Sequence, residues 1–143
     1  MNEIFMRQAI EEAKKSSEWL KCGAVIVKDN QTLISAHNTQ RAENNACAHA
    51  EINAITAAGK LLADKNLTDC EIYCTCEPCV MCLSAIAYAK IEKIYFGVNL
   101  KDVSPKEKII DVSLETFLEK SPWKIEVVRN FLADECSKIY LGL

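Results

Sequence analysis

Two stretches of this 143-residue chain carry residue types able to do chemistry. One is Cys74-Thr75-Cys76-Glu77-Pro78-Cys79-Val80-Met81-Cys82, which gathers four of the eight cysteines into nine residues. The other is His49-Ala50-Glu51, whose histidine stands thirty residues ahead of Cys79. Cys79 and Cys82, three residues apart, and the His49 imidazole make a set of three zinc ligands. Such a set leaves the fourth tetrahedral position open, as a hydrolytic zinc site requires. One Zn²⁺ per chain is therefore the expected cofactor. Glu51 is the acidic residue placed to move a proton: as a ligand it would close the site, and as a free carboxylate it is a general acid and base.

Other metal chemistries fit less well. Cys76-x-x-Cys79-x-x-Cys82 has the form of part of an iron–sulfur run, yet the fourth Cys-Pro is missing and an apolar helix follows Cys82. A structural four-cysteine zinc on Cys74, Cys76, Cys79 and Cys82 would leave His49 and Glu51 without a task. A redox Cys-x-x-Cys pair belongs in a different strand–helix setting. A non-catalytic zinc scaffold, using the same ligands, stays open beside the enzyme.

These residues need elements that bring them together. Residues 3–18 read as a helix, with Met6, Ala9, Ile10 and Ala13 at i, i+3, i+4 and i+7. Cys22 to Lys28 is a nearly continuous apolar run and so a strand buried on both faces. Asp29-Asn30 is a turn pair, Leu33 to His37 is the returning strand of a hairpin, and residues 39–47 read as irregular. His49 to Leu62 is helical, with Ala50, Ala54, Ala57 and Leu61 as a small-residue stripe and Ile52, Ile55 and Leu62 as a second apolar edge. On an ideal helix His49 and Glu51 lie about 200° apart, so they converge only ahead of the first turn. This helix must therefore point its N-terminus at the metal.

Asp69 to Thr75 reads as a strand, Pro78 suits the first turn of a helix, and Cys79 to Ala89 is a helix apolar nearly all round. Ile91 to Val98 follows as a strand, which makes a parallel crossover unit. Ser104-Pro105-Lys106-Glu107 has the form of a capping box, and Leu114, Phe117 and Leu118 form a further helical turn. Trp123 to Val128 reads as the last strand; Leu132, Cys136, Ile139 and Tyr140 mark a terminal helix. This order predicts an α/β fold, a three-layer helix/sheet/helix sandwich with a mixed five-stranded sheet. Residues 1–143 are expected to form one domain.

Half the residues are apolar and 26% are charged, which is ordinary globular usage. No apolar run is long enough for a membrane span, and the charged N-terminus lacks the apolar core of a secretion signal, so a cytoplasmic protein is expected. In that setting the cysteines serve as metal ligands or reduced core residues, the latter for Cys22, Cys70 and Cys136. Seventeen basic against twenty acidic residues, with the lysines scattered, give no global attraction for a polyanion and place nucleic acid behind small molecules as a partner.

His49-Ala50-Glu51-Ile52-Asn53-Ala54-Ile55 together with Cys76-Glu77-Pro78-Cys79-Val80-Met81-Cys82 resembles the double signature of the zinc-dependent cytidine and nucleobase deaminases. The likeness extends to Gly23-Ala24-Val25-Ile26-Val27 and to Leu132-Ala133-Asp134-Glu135-Cys136. It implies a cytidine deaminase-like fold and hydrolytic deamination with release of ammonia. His49, Cys79 and Cys82 would hold the metal and Glu51 would move protons. By position it further implies substrate contacts from Asn38, at the end of the second strand, and from the main chain of Ala50 and Cys79. The helix between the last two strands implies that they pair in parallel, as in the free-base and RNA branches.

Thr75-Cys76-Glu77-Pro78 resembles the guanine and related free-base deaminases, whereas Leu132 to Cys136 is nearer the transfer-RNA adenosine deaminases. Lys21-Cys22-Gly23-Ala24 departs from the proline-containing version common in the RNA branch, and a basic C-terminal helix is missing. The expected substrate is thus a small nucleobase or nucleoside, a guanine-type purine slightly ahead of cytosine, with tRNA-specific adenosine deamination as the alternative. The apolar helix from Cys79 to Ala89 and the resemblance both point to a homodimer.

Overall fold

The computed structural model describes residues 2–140; Met1 and residues 141–143, the ends of the expected domain, lie outside them. Five strands form one sheet: β1 (Gly23–Lys28), β2 (Gln31–His37), β3 (Cys70–Cys76), β4 (Lys93–Val98) and β5 (Glu126–Val128), in the order β2-β1-β3-β4-β5. β1 pairs antiparallel with both β2 and β3, while β3–β4 and β4–β5 are parallel. Thus β1 alone is reversed in a mixed sheet, and the last two strands run parallel as expected. Asp29 and Asn30 close the β1–β2 hairpin with φ of 52° and 60°, the left-handed conformation that a two-residue turn demands and that these residue types tolerate.

Helices cover both faces: α1 (Glu3–Ala13), α2 (Gln40–Glu43), α3 (Ala50–Leu62), α4 (Val80–Tyr88), α5 (Leu100–Val103), α6 (Leu114–Lys120) and α7 (Ala133–Tyr140). Strand alternation sorts the core into two halves. Ala24, Ile26, Ile72, Cys74, Ile94 and Phe96 face α3 and α4, meeting Ala54, Ala58, Leu83 and Ile86. Val25, Val27, Tyr73 and Tyr95 face the other way, meeting Met6, Ala9 and Ile10 of α1 and Cys136 of α7. Among the described residues no helix is long and apolar enough to cross a membrane.

Several expected boundaries move, each for a local reason. The first helix stops at Ala13 rather than residue 18, because Ser16 turns inward: its hydroxyl donates to the Asn38 carbonyl at 3.1 Å and accepts from Glu18 N. Residues 39–47 contain the short α2. The buried stripe of α3 runs through Ala50, Ala54 and Ala58, and Leu61 is 58% exposed. α4 buries only Cys82, Leu83 and Ile86 and leaves Tyr88 at the surface. The Ser104 to Glu107 pattern produces a single 3-10 turn at Lys106–Lys108 with no side-chain capping bond, while α5 forms ahead of it. The effective cap lies later, where Ser113 accepts from Thr116 N at 3.0 Å and opens α6.

Candidate active site

β2 and β3 point the same way, so α3, which follows β2, and α4, which follows β3, begin at one edge of the sheet. Each helix opens on a metal-ligating residue in extended conformation. His49 precedes α3 with φ −71° and ψ 159°, and Cys79 precedes α4 with φ −71° and ψ 172°. Pro78 stands one residue before that cap rather than in the first turn. Cys82 follows one turn into α4 and is fully buried.

His49 Nδ1 lies 3.7 Å from Cys79 Sγ and 3.6 Å from Cys82 Sγ. The three ligand atoms all fall within 4.8 Å of one another. Bond lengths of about 2.3 Å to sulfur and 2.0–2.1 Å to nitrogen around a tetrahedral zinc place sulfur and nitrogen about 3.6 Å apart, so the donor set fits the ion. Its protonation agrees. The Cys82 thiol hydrogen-bonds to Cys79, and together with the His49 imidazole and the Cys82 backbone N–H it outweighs burial and lowers Cys79 to about 4. Cys82 is raised, first by that same hydrogen bond and then by burial. The hydrogen bond to Cys79 raises His49 against its own burial. This is a thiolate beside protons that a divalent cation displaces on binding. His49, Cys79 and Cys82 thus form a candidate zinc site.

Glu51 is only 6% exposed and joins His49 and Cys79 in lining a cavity of about 100 Å³. Burial, then the negative charge of Cys79, raises its carboxyl to about 7, against the pull of a backbone hydrogen bond and His49. Asn38, Cys22, Gln40, Cys76 and Leu100 line the same cavity. Ala50 opens α3 between His49 and Glu51 and is wholly buried.

Asn38 is 3% exposed and its carboxamide is held on both sides: Oδ1 accepts from Cys22 N at 2.9 Å and Nδ2 donates to Leu20 O at 2.6 Å. It ties the chain entering β1 to the end of β2. Asn53, one turn beyond His49, does the same for α3. Its Nδ2 donates to His37 O at 2.8 Å and Thr39 Oγ1 at 2.9 Å. Sequence reading passed over Asn53, although a lone amide in the apolar first turns of α3 was a signal for it. Cys22, expected in the core, packs against both half-cores and also lines the cavity. Its sulfur accepts from Tyr140 OH at 3.7 Å, and that hydroxyl meets Thr75 Oγ1 at 2.8 Å, which links α7 to the back of the site. No such signal exists for Glu77, whose Oε1 accepts from Leu100 N at 3.1 Å and holds α5 against the cavity. Cys74 is buried in the core, and Cys47 is exposed.

The family described as the cytidine and deoxycytidylate deaminase zinc-binding region matches residues 1–98. The tRNA-specific adenosine deaminase of Rickettsia bellii is 34% identical over 142 residues, spanning 96% of this chain and 95% of that protein. A solved structure from work on tRNA:A34 deaminases, which edit A to I at the wobble position, superposes with a TM-score of 0.83 at 30% identity, over 96% of this chain and 99% of the other. A guanine deaminase from Bacillus subtilis gives a TM-score of 0.68 at 30% identity, over 83% and 90%.

Proposed function

This chain belongs to the family of the cytidine and deoxycytidylate deaminase zinc-binding region, and we propose that it is a tRNA adenosine deaminase. The reaction replaces the exocyclic amine of an adenosine by oxygen from water: the C–N bond breaks, a C–O bond forms, and inosine and ammonia leave. One observation carries the choice of substrate. The likeness to a tRNA-specific adenosine deaminase runs over nearly the whole length of both chains, and the superposition on a tRNA:A34 deaminase is equally complete. The guanine-type base expected from the sequence has weaker support, because the guanine deaminase superposition at 30% identity is shorter and looser.

In this reading His49, Cys79 and Cys82 hold the zinc. Zinc bound there supplies Lewis-acid activation of water. Glu51 takes a proton from the attacking water, delivers it to the ring nitrogen, and later protonates the departing amine. Its burial beside the cavity keeps that carboxyl away from bulk solvent. The main chain of Ala50 holds the substrate against Glu51, and Asn38, bonded to the protein through both ends of its amide, positions the cavity wall. A homodimer belongs to the same proposal, supported by Tyr88 on α4 and Leu61 on α3, which expose 86% and 58% of their surface. Light scattering at monomer mass would remove it.

The experiment is a panel of tRNA, free bases and nucleosides assayed for ammonia and inosine. Inosine in tRNA is the expected product. Ammonia from guanine, with tRNA untouched, would overturn the reading in favour of the free-base branch. A salt titration adds an independent check, because binding to RNA should weaken steeply with salt and binding to a free base should not.

A further inference from the structure

Gln40, the first residue of α2, lines the cavity beside Glu51, and its Oε1 is buried with no hydrogen-bond partner among the described residues. Buried carbonyl oxygens almost always have a partner, so an orphan acceptor in the wall of a site calls for one. The neighbouring backbone N–H groups are already committed. Cys22 N donates to Asn38 Oδ1, Arg41 N to Glu18 Oε2 at 2.8 Å, and Thr39 N to Ala48 O at 2.9 Å. The main chain of Gln40 is fixed here, because its own carbonyl accepts from Asn45 N at 2.9 Å. Asn38, two residues back, shows the contrast: both ends of its amide bond to the protein, whereas Gln40 Oε1 has no partner among the described residues.

We infer that Gln40 is a substrate contact, its Oε1 accepting a hydrogen bond from an N–H or O–H of the molecule bound against Glu51. An acceptor there favours substrates that present a donor, such as an exocyclic amine or a ribose hydroxyl, and disfavours one presenting a carbonyl. The assignment rests on the deaminase reading of the cavity and identifies a residue that distinguishes substrates within it.

The test compares wild-type protein with Gln40→Ala and with Gln40→Met, which preserves the volume, on the anticodon-arm RNA. If wild-type protein leaves RNA untouched but deaminates a free base or nucleoside, the tRNA reading alone has failed, and the same comparison is made on that base. Loss of one hydrogen bond used in binding should raise KM about tenfold, with kcat held within about twofold. The melting temperature should hold or rise in both variants, since the lost amide oxygen bonds nothing in the protein. A residue serving only the fold would behave oppositely, with melting temperature and activity falling together. Either that result, or unchanged KM and kcat in both variants, would overturn the inference. A substrate with 2′-deoxyadenosine at the target locates the donor: a Gln40→Ala effect that disappears assigns it to the ribose hydroxyl, and one that persists assigns it to the base.

Discussion

Gly23 lies so close to Ala9 that a Cβ built on it would stand 2.0 Å from the Ala9 carbonyl oxygen and 2.8 Å from Ala13 N. Both obstacles are backbone of α1, which cannot rotate aside. Gly23→Ala should therefore push α1 off the start of β1 and cost about 3 kcal/mol, the upper end for overpacking. Urea unfolding reads this directly, and a loss below about 1 kcal/mol would show that α1 yields more easily than its contacts imply.

Glu12 of α1 reaches the last residue of β2. Its carboxylate accepts from His37 Nδ1 at 2.7 Å and from Lys15 at 3.2 Å, with 12% of the side chain exposed. Burial would raise this carboxyl, but the hydrogen bonds from His37 and Lys15 outweigh it and hold Glu12 below its ordinary value. A depressed carboxyl contributes stability that is present above the unfolded pKa, about 4.3, and is lost as pH falls through the folded one. Between neutral pH and pH 5 wild-type protein should be more stable than Glu12→Gln, and the difference should disappear as pH falls through the lowered value of the folded carboxyl. Equal stabilities across the range would remove the pair from the acid response.

Glu51→Gln should keep the metal and lose activity. Zinc content by atomic absorption should match wild-type protein, while kcat falls by about 10³, within the range for a lost general acid and base. Cys79→Ser should lose zinc and activity together, and chelation of wild-type protein should lower its melting temperature. A Glu51→Gln protein that still released ammonia at the wild-type rate would reassign the proton transfer.

Asn53 joins three pieces of chain that position the site. Asn53→Ala leaves His37 O without that donor and should cost about 1–2 kcal/mol. Because the released loop also carries His49, zinc affinity should fall by about tenfold, as it does when groups supporting a metal ligand are removed. Competition with a chromogenic chelator measures the affinity. Loss of stability with zinc affinity unchanged would confine Asn53 to the fold.

Features set by local rules were readable from the residues alone. The Asp29-Asn30 turn, the burial of β1 on both faces, and the convergence of two helix starts on one metal all follow from conformational preference and spacing. The roles that escaped depend on partners distant in sequence. Asn53 acts through carbonyl and hydroxyl groups up to sixteen residues away, and Cys22 faces the cavity with Tyr140 behind it. The Ser104 to Glu107 pattern failed for a related reason: a capping box stabilises a helix only if the chain beyond it can continue one, and here it passes into a single 3-10 turn. Gln40 lay in a polar stretch with no periodicity to mark it.

The reversed direction of β1 also has a consequence for metal capture. His49 follows β2, Cys79 follows β3, and the two strands are neighbours only through β1 between them. Until that strand is paired on both sides, imidazole and thiolates hang on separate segments, and forming their contact bears the closure entropy of a thirty-residue loop. Metal binding and assembly of the central strands are therefore coupled in this chain. A nascent or partly unfolded molecule lacks the contact between His49 and the α4 cysteines, and capture by the mixed imidazole–thiolate set reports that the central three strands have assembled.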